Sequence, residues 1–224
     1  MIFNQKAFKL TTIFAILIVI TTFYSCKFVI KEEISEVNLV DKKASKSVLK
    51  LHHKLTEITK KGVAIGHQDA TSYGIITISW HLDNPTSGGD SWDKTPAVKD
   101  VIIGGIHKEK YDLWVSRVAD FLKTLNYNGE EIPIIFRPYH EMNGGWFWWG
   151  EGNCTALEYK QLWQETVVLL RDKHNIHNLL YAYSPNKLNP DDDYLKYYPG
   201  DEFVDILGID IYDFNNANAY KNSV

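Results

Sequence analysis

Residues 132–150 read IPIIFRPYHEMNGGWFWWG. Ile132 to Phe136 form a short, uncharged apolar run with the length of a buried strand. Immediately behind it come Arg137, His140 and Glu141, and then Trp146, Phe147, Trp148 and Trp149. A buried strand that delivers ionisable and aromatic side chains from its C-terminal end is the pattern of a parallel α/β sheet, where the loops after the strands build the sites.

The flanking segments repeat the alternation. Upstream, Leu113, Trp114, Val118, Phe121, Leu122 and Leu125 fall at helical spacing and predict an amphipathic helix closed near Gly129. Before it, the apolar run from Ile75 to Trp80 ends at His81, and a loop rich in Gly, Ser, Asp and Pro follows to about residue 107. Val63 to Gly66 reads as a further strand, ending at His67-Gln68-Asp69. Ser47 is expected to cap a helix with Val48, Leu51, Leu55 and Ile58 on one face, Lys60 and Lys61 in its last turn and Gly62 at its exit. Downstream, Thr155 and Glu158 make a capping-box pattern ahead of a helix that turns Leu162, Thr166, Leu169 and Leu170 inward. Strands are expected at Leu179 to Tyr183 and at Val204 to Ile211. Strands alternating with helices define an α/β chain with a parallel sheet. No internal repeat is visible.

Polar residues collect at four of these strand ends: His67-Gln68-Asp69, Trp80-His81, Arg137 with His140 and Glu141, and Asp210 with Tyr212 and Asp213. One polar strand end is ordinary in any α/β protein. Four that carry His, Glu or Asp beside aromatics point to the active rim of a (β/α)8 barrel.

The N-terminus has a different character. Lys6 and Lys9 precede the apolar run Ile13 to Ile20, far short of the ~20 residues that span a bilayer but suited to a signal-peptide core. Phe23-Tyr24-Ser25-Cys26 resembles a bacterial lipobox, with Cys26 as the lipidated residue, although Phe23 and Tyr24 fit that pattern poorly. Residues 1–25 are therefore expected to be a lipoprotein signal peptide, and 26–45, rich in Lys, Glu and Ser, a flexible tether. This implies a lipid-anchored protein of the outer membrane or cell surface, touching a membrane only through its anchor, or else a periplasmic or secreted one. With Cys26 lipidated, Cys154 is the one remaining thiol and no internal disulfide is expected. The net charge of −4 is mild and mixed, which speaks against nucleic acid as a partner.

The chemistry points to sugars. Aromatic faces stack on the apolar faces of sugar rings, and glycoside cleavage needs a carboxylic acid to protonate the leaving oxygen. A carboxyl group desolvated by aromatics holds its proton more readily. His140-Glu141 also begins a zinc metalloprotease pattern, but that pattern needs a second His where this chain has Gly144. No metal or organic cofactor is expected. A merely packed aromatic loop is the remaining reading, and it leaves Arg137, His140 and Glu141 unexplained.

The run RPYHEMNGGWFWWG resembles the acid/base signature of glycoside hydrolase family 26, chiefly endo-β-1,4-mannanases. GHQDATSYG from Gly66, SWHLDNP from Ser79, SPN from Ser184 and GIDIYD from Gly208 agree with it. The resemblance implies a (β/α)8 TIM barrel that hydrolyses β-mannan, galactomannan or glucomannan internally, with retention through a covalent glycosyl-enzyme. It implies Glu141 as acid/base, His140 as a sugar ligand beside it, and His81 and Trp92 lining the adjoining subsites. It further implies Trp146 as a stacking platform, Tyr212 as the residue that orients the nucleophile, and Arg137 and Asn143 as supports. Residues 46–224 are then a partial catalytic domain, expected to be monomeric.

Two departures qualify this. The family's nucleophile is a Glu on the seventh strand, whereas no Glu follows Glu202 here, and Glu202 precedes its strand. Asp210 and Asp213 are the nearest substitutes. The first two expected strands are separated by roughly eight residues, fewer than the 10–12 a parallel crossover needs. About five to six of the eight barrel strands are therefore expected. Two function classes remain open: a mannan hydrolase, or a surface glycan-binding lipoprotein that keeps the cleft without the chemistry. Within the first, β-1,3-xylan and mixed-linkage β-glucan are the alternative substrates.

Overall fold

The computed structural model describes residues 38–61, 74–189 and 193–212. The expected signal peptide, Cys26, the strand at 63–66 with His67, Gln68 and Asp69, and Asp213 lie outside the described residues.

Helix α1 spans Lys46–Lys61. Its cap is Ser45 rather than Ser47: the Ser45 hydroxyl accepts the Val48 amide at 3.3 Å, while Ser47 donates to the Glu131 carbonyl at 2.7 Å. Strand β1 (Ile76–Trp80) leads through the loop and a short helical turn, α2 (Val98–Val101), to helix α3 (Lys108–Thr124). A small hairpin follows, β2 (Asn126–Tyr127) against β3 (Glu130–Glu131). Its turn uses Asn128 and Gly129, both at positive φ (53° and 80°), the backbone that an Asn-Gly pair adopts cheaply. The sequence reading missed this hairpin and took Gly129 for a helix stop. Then come β4 (Ile134–Pro138), α4 (Ala156–Val168), a π-helical turn (Leu169–Lys173), β5 (Leu179–Tyr183), a 3-10 turn (Asp201–Phe203) and β6 (Ile206–Leu207).

The described sheet has the order β1-β4-β5-β6, all parallel. Ser79 lies opposite Arg137, Phe136 opposite Tyr181 and Tyr183 opposite Leu207. Parallel strands with helices in the β1–β4 and β4–β5 crossovers follow the (β/α)8 barrel pattern, and four of its eight strands are described. β5, one of the two inner strands, is buried along its whole length, as expected for a strand covered on both faces. Of the strand expected over Val204 to Ile211 only Ile206–Leu207 forms, and it stops at Leu207 because Pro185 opposite the next positions has no amide hydrogen to donate. Pairing resumes one step later, with Asp210 donating to the Pro185 carbonyl and Lys187 to the Asp210 carbonyl.

The core between sheet and helices is aromatic. Trp148, Trp149, Trp163, Tyr111, Tyr139, Tyr159 and Phe136 are all buried. Helix α4 carries the expected capping box, with both Thr155–Glu158 hydrogen bonds formed, and Leu162, Thr166, Leu169 and Leu170 are buried as expected. Helix α3 is rotated from its expected face. Tyr111, Val115, Ala119 and Leu122 point inward, Leu113 and Phe121 are half exposed, and Trp114 and Val118 are partly buried. The reason is Tyr111, whose hydroxyl finds buried partners and so belongs to the core despite its polarity.

Residues 38–45, expected to end a flexible tether, are packed. Leu39, Val40 and Asp41 are buried, Val40 donates to Asp205, Ser45 donates to the His177 carbonyl, and Asp41 meets His177 at 2.7 Å. A cavity of about 450 Å³ lies beside this strap, lined by Lys42, Arg171 and Glu202 among others and not by Glu141.

Replacing Leu122 by Ala is expected to cost about 2–5 kcal/mol in urea unfolding, whereas Leu113→Ala should stay within about 0.5 kcal/mol. Equal losses would mean that α3 presents its other face.

Candidate functional site

Alternation along β1 and β4 sorts their side chains. Trp80 and Phe136 pack toward the helices with Tyr111, so Ser79 and Arg137 point to the other side of the sheet. There Arg137 Nε donates to Ser79 at 3.2 Å, and its terminal nitrogen pairs with the Asp210 carboxylate. Ser184 Oγ donates to the same Asp210 oxygen at 2.9 Å. This cluster joins β1, β4, the end of β5 and the segment after β6. Burial raises the Asp210 pKa, and the Arg137 charge and the Ser184 hydrogen bond oppose the rise without cancelling it. The sequence reading singled out Arg137 and Asp210 but missed Ser79 and Ser184 as their partners. The available signal was a polar residue at alternate positions of otherwise apolar strands.

Beyond Arg137 the chain turns abruptly. Tyr139 and Glu141 both adopt positive φ, 47° and 57°, a conformation that costs roughly 1–3 kcal/mol in side chains of this size and survives only when its surroundings dictate it. The turn is held by the Glu141 amide on the Ser184 carbonyl (2.8 Å) and by the Trp149 indole on the His140 carbonyl (3.0 Å). Glu141 is thereby placed at 6% exposure, with the Trp146 indole donating to Oε2 at 3.0 Å. Tyr212, 63% exposed, is hydrogen-bonded to the same carboxyl. The Tyr212 pKa is raised by burial first and by Glu141 second. Asn143 clamps the loop after β5, donating to the Asn186 carbonyl at 3.0 Å and accepting its amide at 2.7 Å.

His140 is buried, and its ring meets His81 edge-on at 4.5 Å. Burial, then Arg137 and His81, lower its pKa to about 3, so the imidazole is neutral near pH 7. Its Nδ1 has no hydrogen-bond partner among the described residues. His81 is exposed, and Trp92, 59% exposed, lies 4.8 Å from Phe147 between ring centres. Asn84, wholly buried, shapes the loop carrying Trp92: it donates to the Asp93 and Thr95 carbonyls and accepts the Thr86 and Ser87 amides. The Trp148 indole fastens that loop by donating to the Leu82 carbonyl at 3.1 Å.

The four aromatics after Glu141 do not share one role. Phe147, Trp148 and Trp149 are buried and build the wall, with Phe147 stacked on Trp149 at 4.5 Å. Only Trp146 stays partly exposed. It folds back over Gly144, where an added Cβ would stand 2.1 Å from the indole ring. Glu202 lies in the turn before β6, as expected, and Asp210 is committed to Arg137. Among the described residues no group of three or more His, Cys, Asp or Glu is placed to hold a metal ion.

A parallel α/β barrel whose C-terminal strand ends carry a buried carboxyl walled by aromatic rings has the architecture of a carbohydrate-active barrel protein. The profile of glycosyl hydrolase family 26 matches residues 30–224, and the chain belongs to that family. A mannan endo-1,4-β-mannosidase of Bifidobacterium adolescentis is 43% identical over 172 residues, covering 73% of this chain and 17% of that protein. One from Bacillus subtilis strain 168 is 34% identical, covering 66% and 43%. Among solved structures, a GH26 β-mannanase from Bacteroides ovatus superposes with a TM-score of 0.62 at 40% identity, over 77% of this chain and 48% of that one. The chain thus spans less than half the length of these relatives.

Gly144→Ala should drive the Trp146 ring off Glu141, read as a red shift of tryptophan emission with little loss of thermal stability. Because His140 is neutral when folded and titrates near 6.5 when unfolded, stability should fall by about 1.4 kcal/mol per pH unit below that value. Urea unfolding of the wild type and His140→Gln between pH 7 and 4.5 checks this, the variant showing the shallower loss.

Proposed function

We propose that this chain carries the acid/base half of a retaining endo-β-1,4-mannanase that cuts mannan, galactomannan or glucomannan internally. One observation carries the reading. Glu141 leaves the end of a barrel strand in a strained, multiply fixed conformation, with its carboxyl buried beside an aromatic wall. A carboxyl so placed can give its proton to a leaving glycosidic oxygen and later take one from water. The relatives named mannan endo-1,4-β-mannosidase support the choice of substrate.

In this reading the neutral His140 and the exposed His81 bind hydroxyls of the sugars flanking the scissile bond. Trp92 offers a face to one sugar ring, and Trp146 both orients Glu141 and borders the leaving-group side. Arg137 and Asn143 hold the strand ends that present them, and Tyr212 closes over the carboxyl. Retention requires a second carboxylate about 5–5.5 Å from the first. Asp210 is a poor candidate because Arg137 and Ser184 already occupy it, so the nucleophile is assigned outside the described residues. Lipidation at Cys26 and a place at the cell envelope belong to the same proposal and rest on the sequence pattern alone.

Incubation of the protein bearing both carboxylates with mannohexaose tests it. Shorter mannooligosaccharides should appear, and Glu141→Gln should lower the rate by about 10²–10⁴-fold. Binding without turnover in the wild type would instead support a glycan-binding protein, and undiminished turnover in Glu141→Gln would remove Glu141 from the chemistry.

A further inference from the structure

Two residues of α4 grip Tyr139, two positions ahead of Glu141. The Tyr159 hydroxyl donates to the Tyr139 carbonyl at 2.9 Å. Seven residues on, and so on the same face of the helix, the Thr166 hydroxyl meets the Tyr139 hydroxyl at 3.0 Å. Tyr111 from α3 completes this group, 2.6 Å from Thr166 and in contact with the Tyr139 hydroxyl. All four side chains are wholly buried. Burial raises the pKa of Tyr159 well above its ordinary value, so the phenol remains a donor at any working pH.

The geometry of residues 139–141 gives these contacts a direction. The carbonyl of Tyr139 is held by Tyr159, that of His140 by the Trp149 indole, and the amide of Glu141 by Ser184. Both peptide planes flanking His140 are thus anchored, and their orientation sets where the Glu141 side chain leaves the backbone. Tyr139 and Glu141 are the two positive-φ residues of this turn, so neither rests in a backbone well that would hold it unaided.

We propose that Tyr159 is a positioning residue for Glu141, acting from α4 through the Tyr139 carbonyl to keep the Glu141 carboxyl under the Trp146 indole. Its mechanistic meaning rests on the acid/base reading of Glu141; its structural content does not. Tyr159→Phe removes one hydroxyl and keeps the ring, which packs against Tyr139, Trp163 and Tyr197.

The test is read at the Trp146 indole N–H in a proton–nitrogen correlation spectrum of the whole chain, whether or not it turns over substrate. Trp146→Phe assigns the resonance, and Glu141→Gln gives its position without the carboxylate. In Tyr159→Phe the Trp146 signal should move toward the Glu141→Gln position, with only Trp149 following it. The Trp163 indole, bonded to the Phe203 carbonyl, should stay in place. Thr166→Val, which loosens the other end of Tyr139, should give the same shift in smaller measure. A Trp146 resonance unmoved in both variants, or a shift shared by every indole, would overturn the proposal. If mannohexaose cleavage survives Glu141→Gln while the indole shift is seen, the acid/base reading fails and the positioning contact stands.

Discussion

Arg137 is where the described strands meet. A guanidinium half withdrawn from water is tolerated only with its charge and its donors matched. The parallel sheet supplies the match from three directions: Ser79 on β1, Ser184 past β5 and Asp210 past β6. Removing one member would leave a partly buried charge uncompensated, at a cost of about 3–5 kcal/mol for a fully buried pair and less at this degree of exposure. The network also fixes what surrounds it. With Asp210 held, the Asp210–Asn186 bridge is held, and Asn143 then locks onto Asn186. The Ser184 carbonyl, fixed in the same way, receives the Glu141 amide.

The aromatic content divides between structure and surface along a line set by burial. Trp148 and Trp149 spend their indole donors on the Leu82 and His140 carbonyls, and Phe147 fills the space between Trp92 and Trp149. They make a rigid wall whose outer members, Trp92, Trp146 and His81, are left with exposed faces. The strained turn at Tyr139 and Glu141 is stable because this wall and α4 dictate it from both sides. Burial that costs His140 its charge also suits it to bind neutral hydroxyls.

Much of the scaffold was legible because local chemistry and tertiary packing agree there. The strand at Leu179–Tyr183 was read at its full length from an unbroken apolar run, and α4 from a capping box that forms as expected. Where the readings of α3, α1 and the tether missed, a polar group had found a partner far along the chain. Tyr111 turned α3 toward its own hydroxyl partners, Ser45 displaced Ser47 as a cap once Ser47 bonded to Glu131, and residues 38–45 look like a solvated linker until Asp205, Arg171 and His177 satisfy them. The site shows the same division: Glu141, His140 and His81 stood out as residue types beside strand ends, and Trp92 through the family resemblance, whereas Tyr159, Thr166, Ser79 and Ser184 did not.

The sequence by itself determined the alternation of strand and helix, the membership in glycosyl hydrolase family 26 and the residues at the end of β4, because apolar period and motif are properties of the chain's order. Which aromatic faces stay open, which carboxylate is committed to Arg137 and how Glu141 is aimed were decided only by the tertiary structure. Each of those depends on groups far apart in the chain, and hydrogen bonds between them exist only once the strands lie side by side.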